Sequence, residues 1–516
     1  MSDFPWLTVI GAVPLVGSLA VLAVPRRQAK PLALAVSLLT LALTIAMCAS
    51  FEAGGPRFQF TQTYQWIPQF GVHYAVGVDG IALALIALSA ILVPVVILAS
   101  WHDAERPTRT GRHNAKTFMA LVLALETTMI GVFAATDVFL FYVFFEAMLL
   151  PMYFLIGSYG VSDDQVKRSY AAVKFFLYSL VGGLLMLAAV IGLWVAGGKT
   201  FLFTDLVGNL DATRTLEGFL FLGFFIAFAI KAPLWPFHTW LPDAAAEAPI
   251  GAAVLLVGVL DKVGTYGFLR YCLPLFPNAS KTFAPYILAL CVIGILYGAL
   301  VAIGQTDLKR LVAYTSVAHF GFIALGIFAF TTPGGSGAAL YMVNHGFSTG
   351  ALFLLVGFLI TRRGSRRIDD FGGVQQVAPW LAGTFLIAGL SSLALPGLSS
   401  FVSEFLVLVG TFTRYRTFAV LATLGIVLAA LYILVMYQRI MHGPVAPAVR
   451  DFRDLSSREA WVIAPMLALI LALGVYPKPL LDVINPAVKA TLHDSGRTDP
   501  KPSIFIPAST SEGARP

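Results

Sequence analysis

Residues 228 to 249 read FAIKAPLWPFHTWLPDAAAEAP and close an apolar run that begins near residue 216. Lys231 lies about sixteen residues into that run, with Pro233 and Pro236 just behind it. Two prolines so close together remove two helix hydrogen bonds and free the carbonyls in front of them. Within a bilayer, a helix broken in this way survives only where it is sealed in protein or lines a hydrated cavity. A lysine at such a break therefore reads as part of an ion path. The plainer reading, a lysine snorkelling to the interface, is disfavoured by the length of helix that precedes it.

The rest of the chain says that the solvent around this break is lipid. Of 516 residues, 58% are hydrophobic and 12% charged, against roughly 25% charged in an average soluble chain. The mean hydropathy is +0.82. Apolar runs long enough to cross about 30 Å of hydrocarbon fall near 4–24, 31–51, 80–100, 115–135, 137–157, 168–196, 216–240, 248–274, 282–304, 308–331, 335–361, 380–413, 417–440 and 458–476, fourteen in all. Alternate loops divide the 34 Lys and Arg unequally, 19 in the set that starts with Arg26, Arg27 and Lys30 and 11 in the other. The excess of basic residues marks the cytoplasmic side, so both termini are expected on the exported side. Met1 to Val24 has no early Lys or Arg and reads as a retained first span rather than a cleaved signal.

A formal charge of +7 raises the question of a nucleic-acid partner, but no basic cluster exceeds four residues in any ten, and none interleaves with exposed aromatics. No nucleic acid is expected. Cys48, Cys272 and Cys291 stand alone, without the paired spacing of a disulfide framework, zinc site or iron-sulfur cluster, so no redox centre or metal site is expected in this chain. Between the second and third runs, Phe58, Phe60, Tyr64 and Trp66 alternate with polar residues, the period of a strand, which predicts a small exported-side β-hairpin over about 57–78. The tail after Asp494 has no periodicity and is expected to be mobile or to lie on a partner.

A second break is expected at Ala394-Leu395-Pro396-Gly397. Pro396 stands 163 residues after Pro233, and the ninth run follows the fourth at a similar offset, which fits two five-helix units, each with a broken fourth helix. Because five is odd, the second unit enters the membrane from the opposite side, giving an inverted repeat. The fold expected is an all-α polytopic membrane protein with about fourteen transmembrane helices, two of them broken. Its organisation is read as three N-terminal spans with the hairpin (1–114), a first repeat (115–274), a second repeat (282–440), and a last span with the tail (441–516).

Ionisable side chains at mid-membrane cost at least about 2.5 to 3.5 kcal/mol each, so each needs a partner, a cavity or a task. The candidates are Glu146, Lys231, Lys262, His319, His345 and Glu404, with Glu126 and Asp261 as further possibilities. A buried carboxylate and a buried lysine each favour the neutral form when alone and hold one another charged when together, so Glu146 and Lys231 can work as a proton-exchanging pair or stand as a static ion pair. Lys262 follows Asp261, but helix neighbours point about 100° apart and need not pair. His319 and His345 can relay protons between Lys262 and Glu404, or serve simply as hydrogen-bonded core histidines. Lys174 and Arg270 lie near span ends and are expected to snorkel. Gly346-Phe347-Ser348-Thr349-Gly350 matches a nucleophile-elbow pattern but lies inside an apolar run, so it reads as small-residue helix packing.

These motifs together resemble the proton-pumping antiporter-like subunits of respiratory complex I over nearly the whole chain. The residues that carry the likeness are YAVGVDG (74–80), FYVFFEAMLLPMYFLIG (141–157), the 228–249 segment, KVGTYGFLR (262–270), QTDLKRLVAYTSVAHFGF (305–322) and PGLSSFVSEF (396–405). The resemblance implies that Glu146 pairs with Lys231, and that Lys262 passes protons past His319 and His345 toward Glu404. A glutamate at this last position, where L- and N-type siblings usually carry lysine, is similar to the M-type branch, that of mitochondrial chain 4. His238 also fits the pattern. The family often has histidine where this chain has Ala245, so proton uptake is expected to rely on water, His238 or Glu247 instead. The resemblance further implies a bacterial cell (inner) membrane, partnership with the other membrane subunits of the complex, especially antiporter-like L and N, and NADH, flavin, iron-sulfur clusters and quinone held by partner subunits rather than here. A subunit of a multisubunit cation/proton antiporter or of a membrane-bound hydrogenase, or an inert scaffold, would share the same buried charges.

Overall fold

In a computed structural model of the chain, residues 4–102, 114–161 and 164–500 are described. Helices α1 (Trp6–Ala23), α2 (Arg26–Ala49) and α3 (Gly80–Ala99) form the N-terminal group, with strands β1 (Gln59–Ile67) and β2 (Val72–Val78) between α2 and α3. The strands pair antiparallel with Tyr64 opposite Tyr74, where the alternation placed a hairpin. Gly71, in its turn, has φ +64° and faces Lys199 O, which a Cβ would approach to 2.5 Å, so only glycine fits there.

Next come α4 (Ala115–Ala134), α5 (Val138–Ala147), α6 (Leu149–Tyr159), α7 (Gln165–Ala196), the short α8 (Phe203–Leu206), α9 (Arg214–Lys231) and α10 (Trp240–Glu247). Then α11 (Ile250–Leu255), α12 (Lys262–Gly267) and α13 (Leu273–Leu275) run on as one span through two π-helical turns, Leu256–Leu260 and Phe268–Cys272. The remaining helices are α14 (Pro277–Ile303), α15 (Leu308–Phe328), α16 (Thr332–Arg363), α17 (Val374–Val377), α18 (Pro379–Ser392), α19 (Ser399–Arg414), α20 (Arg416–Met441), α21 (Ser457–Val475) and α22 (Lys478–Asp494).

Among the described residues, 12 helical stretches are long and apolar enough to cross a membrane. Two interrupted spans, α9 with α10 and α18 with α19, complete the expected fourteen. Both interruptions fall at the prolines that announced them. Aspartates start several spans in the way helix N-termini require: Asp79, Asp137, Asp164 and Asp307 accept hydrogen bonds from the first free N–H groups of α3, α5, α7 and α15. The expected 137–157 span is divided at Met148, because Pro151 cannot donate to the Ala147 carbonyl.

Hydrogen bonds between loops show which ends share a membrane face. Tyr159 Oη bonds Asn114 O at the start of α4, and Val161 N bonds Glu247 O at the end of α10. At the other face Glu217, near the start of α9, accepts from Asn278 N and Ala279 N at the start of α14. Helices α4 and α14 therefore begin on opposite faces, the arrangement an inverted pair of five-helix units demands.

Burial singles out the axis of the molecule. The α11–α13 span is wholly enclosed, and the apolar windows of α15 and α16 are each 94% buried, while α1, α2, α20 and α21 are only about a third buried and face outward. Groups carried by the enclosed helices are kept from lipid.

One helix goes beyond the sequence reading. Residues 478–494 form α22, which lies against α3 and α16, where a Cβ on Gly80 would stand 1.8 Å from Val483 O. The first residues of the tail are tied down rather than free: Arg57 pairs with Asp494, Arg497 lies over the Phe330 ring, and Asp499 accepts from Thr332 N. Residues 501–516 of that tail lie outside the described residues.

Candidate functional site: a buried charged axis

Glu146 occupies the last turn of α5, at the division caused by Pro151. Its carboxyl rests on the bare backbone of α7 at Gly183, where a Cβ would come within 1.7 Å of Oε1. Lys231 closes α9, directly before the break, and is 1% exposed. Its Nζ lies 5.0 Å from the Phe145 ring centroid and 5.8 Å from that of Phe175, contacts that favour an ammonium. The last carbonyls of α9 point the same way, since a helix C-terminus attracts a cation. Glu146 and Lys231 act on each other electrostatically, but Lys231 Nζ has no hydrogen-bond partner. They face one another without closing into a contact ion pair.

Lys262 begins α12, immediately after the first π turn. That wide turn releases Val257 O, to which Lys262 Nζ donates, and Nζ also lies 2.7 Å from His345 Nδ1 on α16. The His345 and His319 rings stand 5.2 Å apart, and His319 Nε2 is 3.4 Å from Tyr432 Oη. Tyr432 and Tyr341 both interact electrostatically with Glu404, which is 4% exposed on α19. The structure thus brings Lys262, His345 and His319 together, while Glu146 and Lys231 act on one another at the break in α9–α10 and Glu404 lies just after the break in α18–α19.

Several members of this line carried no usable signal in the sequence. Tyr341 and Tyr432 are aromatic residues in apolar spans, indistinguishable there from core. Ser348 Oγ lies 2.5 Å from Ser391 Oγ and also reaches Ser399 and Ser400, while Asn344 Nδ2 donates to Ser399 O at 2.6 Å. The 346–350 segment does pack closely, with Gly346 against Leu88 and the Gly258 carbonyl, but its serine also belongs to a polar lining around the second break.

The expected snorkelling of Lys174 and Arg270 is not what the fold does with them. Arg270 is 3% exposed and donates to Tyr266 Oη at 2.9 Å, with Asp79 of the YAVGVDG stretch also at 2.9 Å. A carboxylate far away in sequence counters the charge of the guanidinium, and no sequence spacing could have announced it. Lys174 lies 2.7 Å from Asp243, which also pairs with Arg310.

At the α10 end of the break, His238 is buried with both ring nitrogens unpartnered among the described residues, beside Tyr297 and Tyr314. Glu247 is held by Arg366 at 3.0 Å, and Lys309 Nζ donates to Ala246 O and Ala248 O, so the end of α10 is clamped by cations. Ala245 is fully buried beside them. Asp261 is buried with both carboxyl oxygens unpartnered. Glu126 is likewise buried and unpartnered, on α4 and without a charged group acting on it, so the structure does not bring it to the axis. Among the described residues no three His, Cys, Asp or Glu gather as a metal ion would need.

Two oppositely running units, each broken at its fourth helix, with carboxylates, lysines and histidines within the membrane spans between the breaks, define an antiporter-like ion-translocating membrane protein. Residues 135–429 match the family described as NADH:quinone oxidoreductase/Mrp antiporter, transmembrane, and residues 31–132 match the amino terminus of NADH-ubiquinone oxidoreductase chain 4. The chain belongs to this family. It is 50% identical to NADH-quinone oxidoreductase subunit M of Mycobacterium tuberculosis (strain H37Rv), with both chains fully covered. A chain of respiratory complex I from Thermus thermophilus superposes with a TM-score of 0.85 at 33% identity, covering 95% of this chain and 100% of that one. A chain of the Mrp complex from Dietzia sp. DQ12-45-1b gives 0.82 at 22% identity over 95% and 98%, which shares the fold alone.

Proposed function

We propose that this chain is a proton-translocating membrane subunit of an NADH:quinone oxidoreductase, moving protons along Glu146, Lys231, Lys262, His345, His319 and Glu404 while partner subunits carry out the redox chemistry. The observation that carries the reading is the run of contacts from Lys262 through His345 to His319 inside helices shielded from lipid. Glu146 and Lys231 are poised apart: closing the gap stabilises both charges, and opening it favours passing a proton on. Carrying one charge against 100 mV takes about 2.3 kcal/mol, within reach of a modest rearrangement of such a pair. His238, beside the cytoplasmic end of the break, is the uptake candidate, whereas the clamp on Glu247 favours a positioning role for that residue.

The partners are the other membrane subunits of the complex, with L- and N-type chains as neighbours. NADH, flavin, iron-sulfur clusters and quinone belong to partner chains. The location is a bacterial inner membrane with both termini on the exported side, as the distribution of loop arginines and lysines supports. The test uses inverted membrane vesicles carrying the assembled complex with Glu146→Gln or Lys231→Ala. NADH-driven acidification is expected to collapse while the complex remains assembled. Unchanged acidification overturns the reading.

A further inference from the structure

Asp261 is a buried carboxyl without a hydrogen-bond partner on either oxygen, placed between two lysines of the axis. Its position follows from the helix that bears it. The π turn Leu256–Leu260 ends in a bond from Asp261 N to Leu256 O, and α12 resumes regular winding at Lys262. Three residues beyond Asp261 and on the same helix face lies Gly264, whose missing side chain lets α12 approach the break: a Cβ there would stand 2.4 Å from Phe228 O and 2.6 Å from Ala232 N. Those two residues flank Lys231 by three positions and one. Asp261 is therefore on the face that meets the end of α9, while its neighbour Lys262 turns about 100° away, toward His345 and Phe320 of the second unit. Lys231 and Lys262 both act electrostatically on Asp261. Among the described residues, Asp261 is the acidic group that acts on Lys262.

We propose that Asp261 is a proton-carrying carboxylate that connects the Lys231 break to Lys262 through the wall of the central helix. This deepens the translocation reading and rests on it. In the first step the Lys231 ammonium gives a proton to the Asp261 carboxylate, leaving a neutral amine and a carboxylic acid. In the second step the acid gives that proton to a neutral Lys262, restoring the carboxylate and forming an ammonium that faces His345. Charge and protons balance in each step, and no further reactant is needed. Neither carboxyl oxygen is in hydrogen-bond contact with a lysine, so each step requires a small side-chain swing or a bridging water.

The test uses the assembled complex in inverted vesicles, with Asp261→Asn, Asp261→Ser and Asp261→Glu beside Lys262→Ala. Assembly is read from NADH-ferricyanide activity retained in the membrane. Asp261→Asn and Asp261→Ser are expected to assemble and to slow NADH-driven acidification about tenfold, less than the ~10²-fold or more that removing a proton-transfer group can cost, because water can substitute in part. Asp261→Glu should keep more than half of the wild-type rate. A structural role for the residue would instead lower assembly and pumping together and spare the isosteric Asn variant. Wild-type acidification in Asp261→Asn or Asp261→Ser, while Lys262→Ala has lost it, overturns the proposal alone. Wild-type acidification in Lys262→Ala overturns the translocation reading beneath it. If neither the Asn nor the Ser variant assembles, or if the Glu variant assembles but pumps no better than they do, the carboxyl is structural and the proposal fails.

Discussion

Lys262 Nζ stands 2.7 Å from His345 Nδ1, and this one contact joins the last span of the first five-helix unit to the third helix of the second. When Lys262 is an ammonium its Nζ donates, so the imidazole nitrogen facing it accepts, and Nε2, which has no partner among the described residues, is left on the far side of the ring. A proton arriving at one nitrogen can leave from the other, which is what a relay between two inverted units requires.

His345→Ala is therefore expected to leave the complex assembled and to lower NADH-driven proton pumping by about tenfold or more, as loss of a proton-transfer group does. His345→Gln, which preserves bulk and an acceptor but cannot titrate, should fall equally far. The measurement is acidification of inverted vesicles normalised to NADH oxidation in the presence of an uncoupler.

At Gly183, even a methyl group has no room, because it would overlap Glu146 Oε1. The atoms in the way are the far end of the Glu146 side chain, so it is the carboxyl that must move. Gly183→Ala should thus displace the Glu146 carboxyl and reproduce the pumping defect of Glu146→Gln without touching a titratable group. Normal pumping by an assembled Gly183→Ala complex would show that the carboxyl position is not critical.

The buried pair of Arg270 and Asp79 gives a different signature. Asp79→Asn keeps an N-cap acceptor for α3 but leaves a guanidinium enclosed without its carboxylate, a loss of about 3 to 5 kcal/mol. Reduced assembly in membranes is expected, measured by native electrophoresis. Asp79→Asn combined with Arg270→Leu should recover part of it, since the orphaned charge is gone.

Asp137, in the turn between α4 and α5, has its carboxyl raised above the usual value by burial, an effect opposed by hydrogen bonds from the Leu140 and His73 amides. A carboxyl whose folded pKa exceeds its unfolded value, near 3.9, contributes most to stability below that unfolded value and loses the contribution as pH rises through the folded one. Asp137→Asn retains the cap and removes the ionisation. The purified complex carrying it should gain thermal midpoint relative to wild type as pH is raised from 4 toward neutrality. A gain that shrinks over that rise would contradict this sign.

Much of the molecule was legible along the chain. Fourteen apolar runs, the prolines at 233, 236 and 396, and the mid-membrane charges each act through a local cost: hydrocarbon penalises an exposed backbone polar group or an ion wherever it stands. Local costs can be read from local sequence, so span number, both breaks and the hairpin were legible in it. Partnerships were not legible. Arg270 with Asp79, Lys174 with Asp243, Arg57 with Asp494, and the serine cluster around Ser348 depend on which distant faces meet. The sequence also suggested contact between Glu146 and Lys231, whereas packing of Glu146 on Gly183 and of Lys231 on Phe145 and Phe175 holds them facing but apart. What the sequence alone determined is that charges lie within the membrane and where the helices give way to admit them. Tertiary structure alone decided their order and contacts, because the distance between two charges is set by how enclosed helices pack, and packing is not written in any one of them.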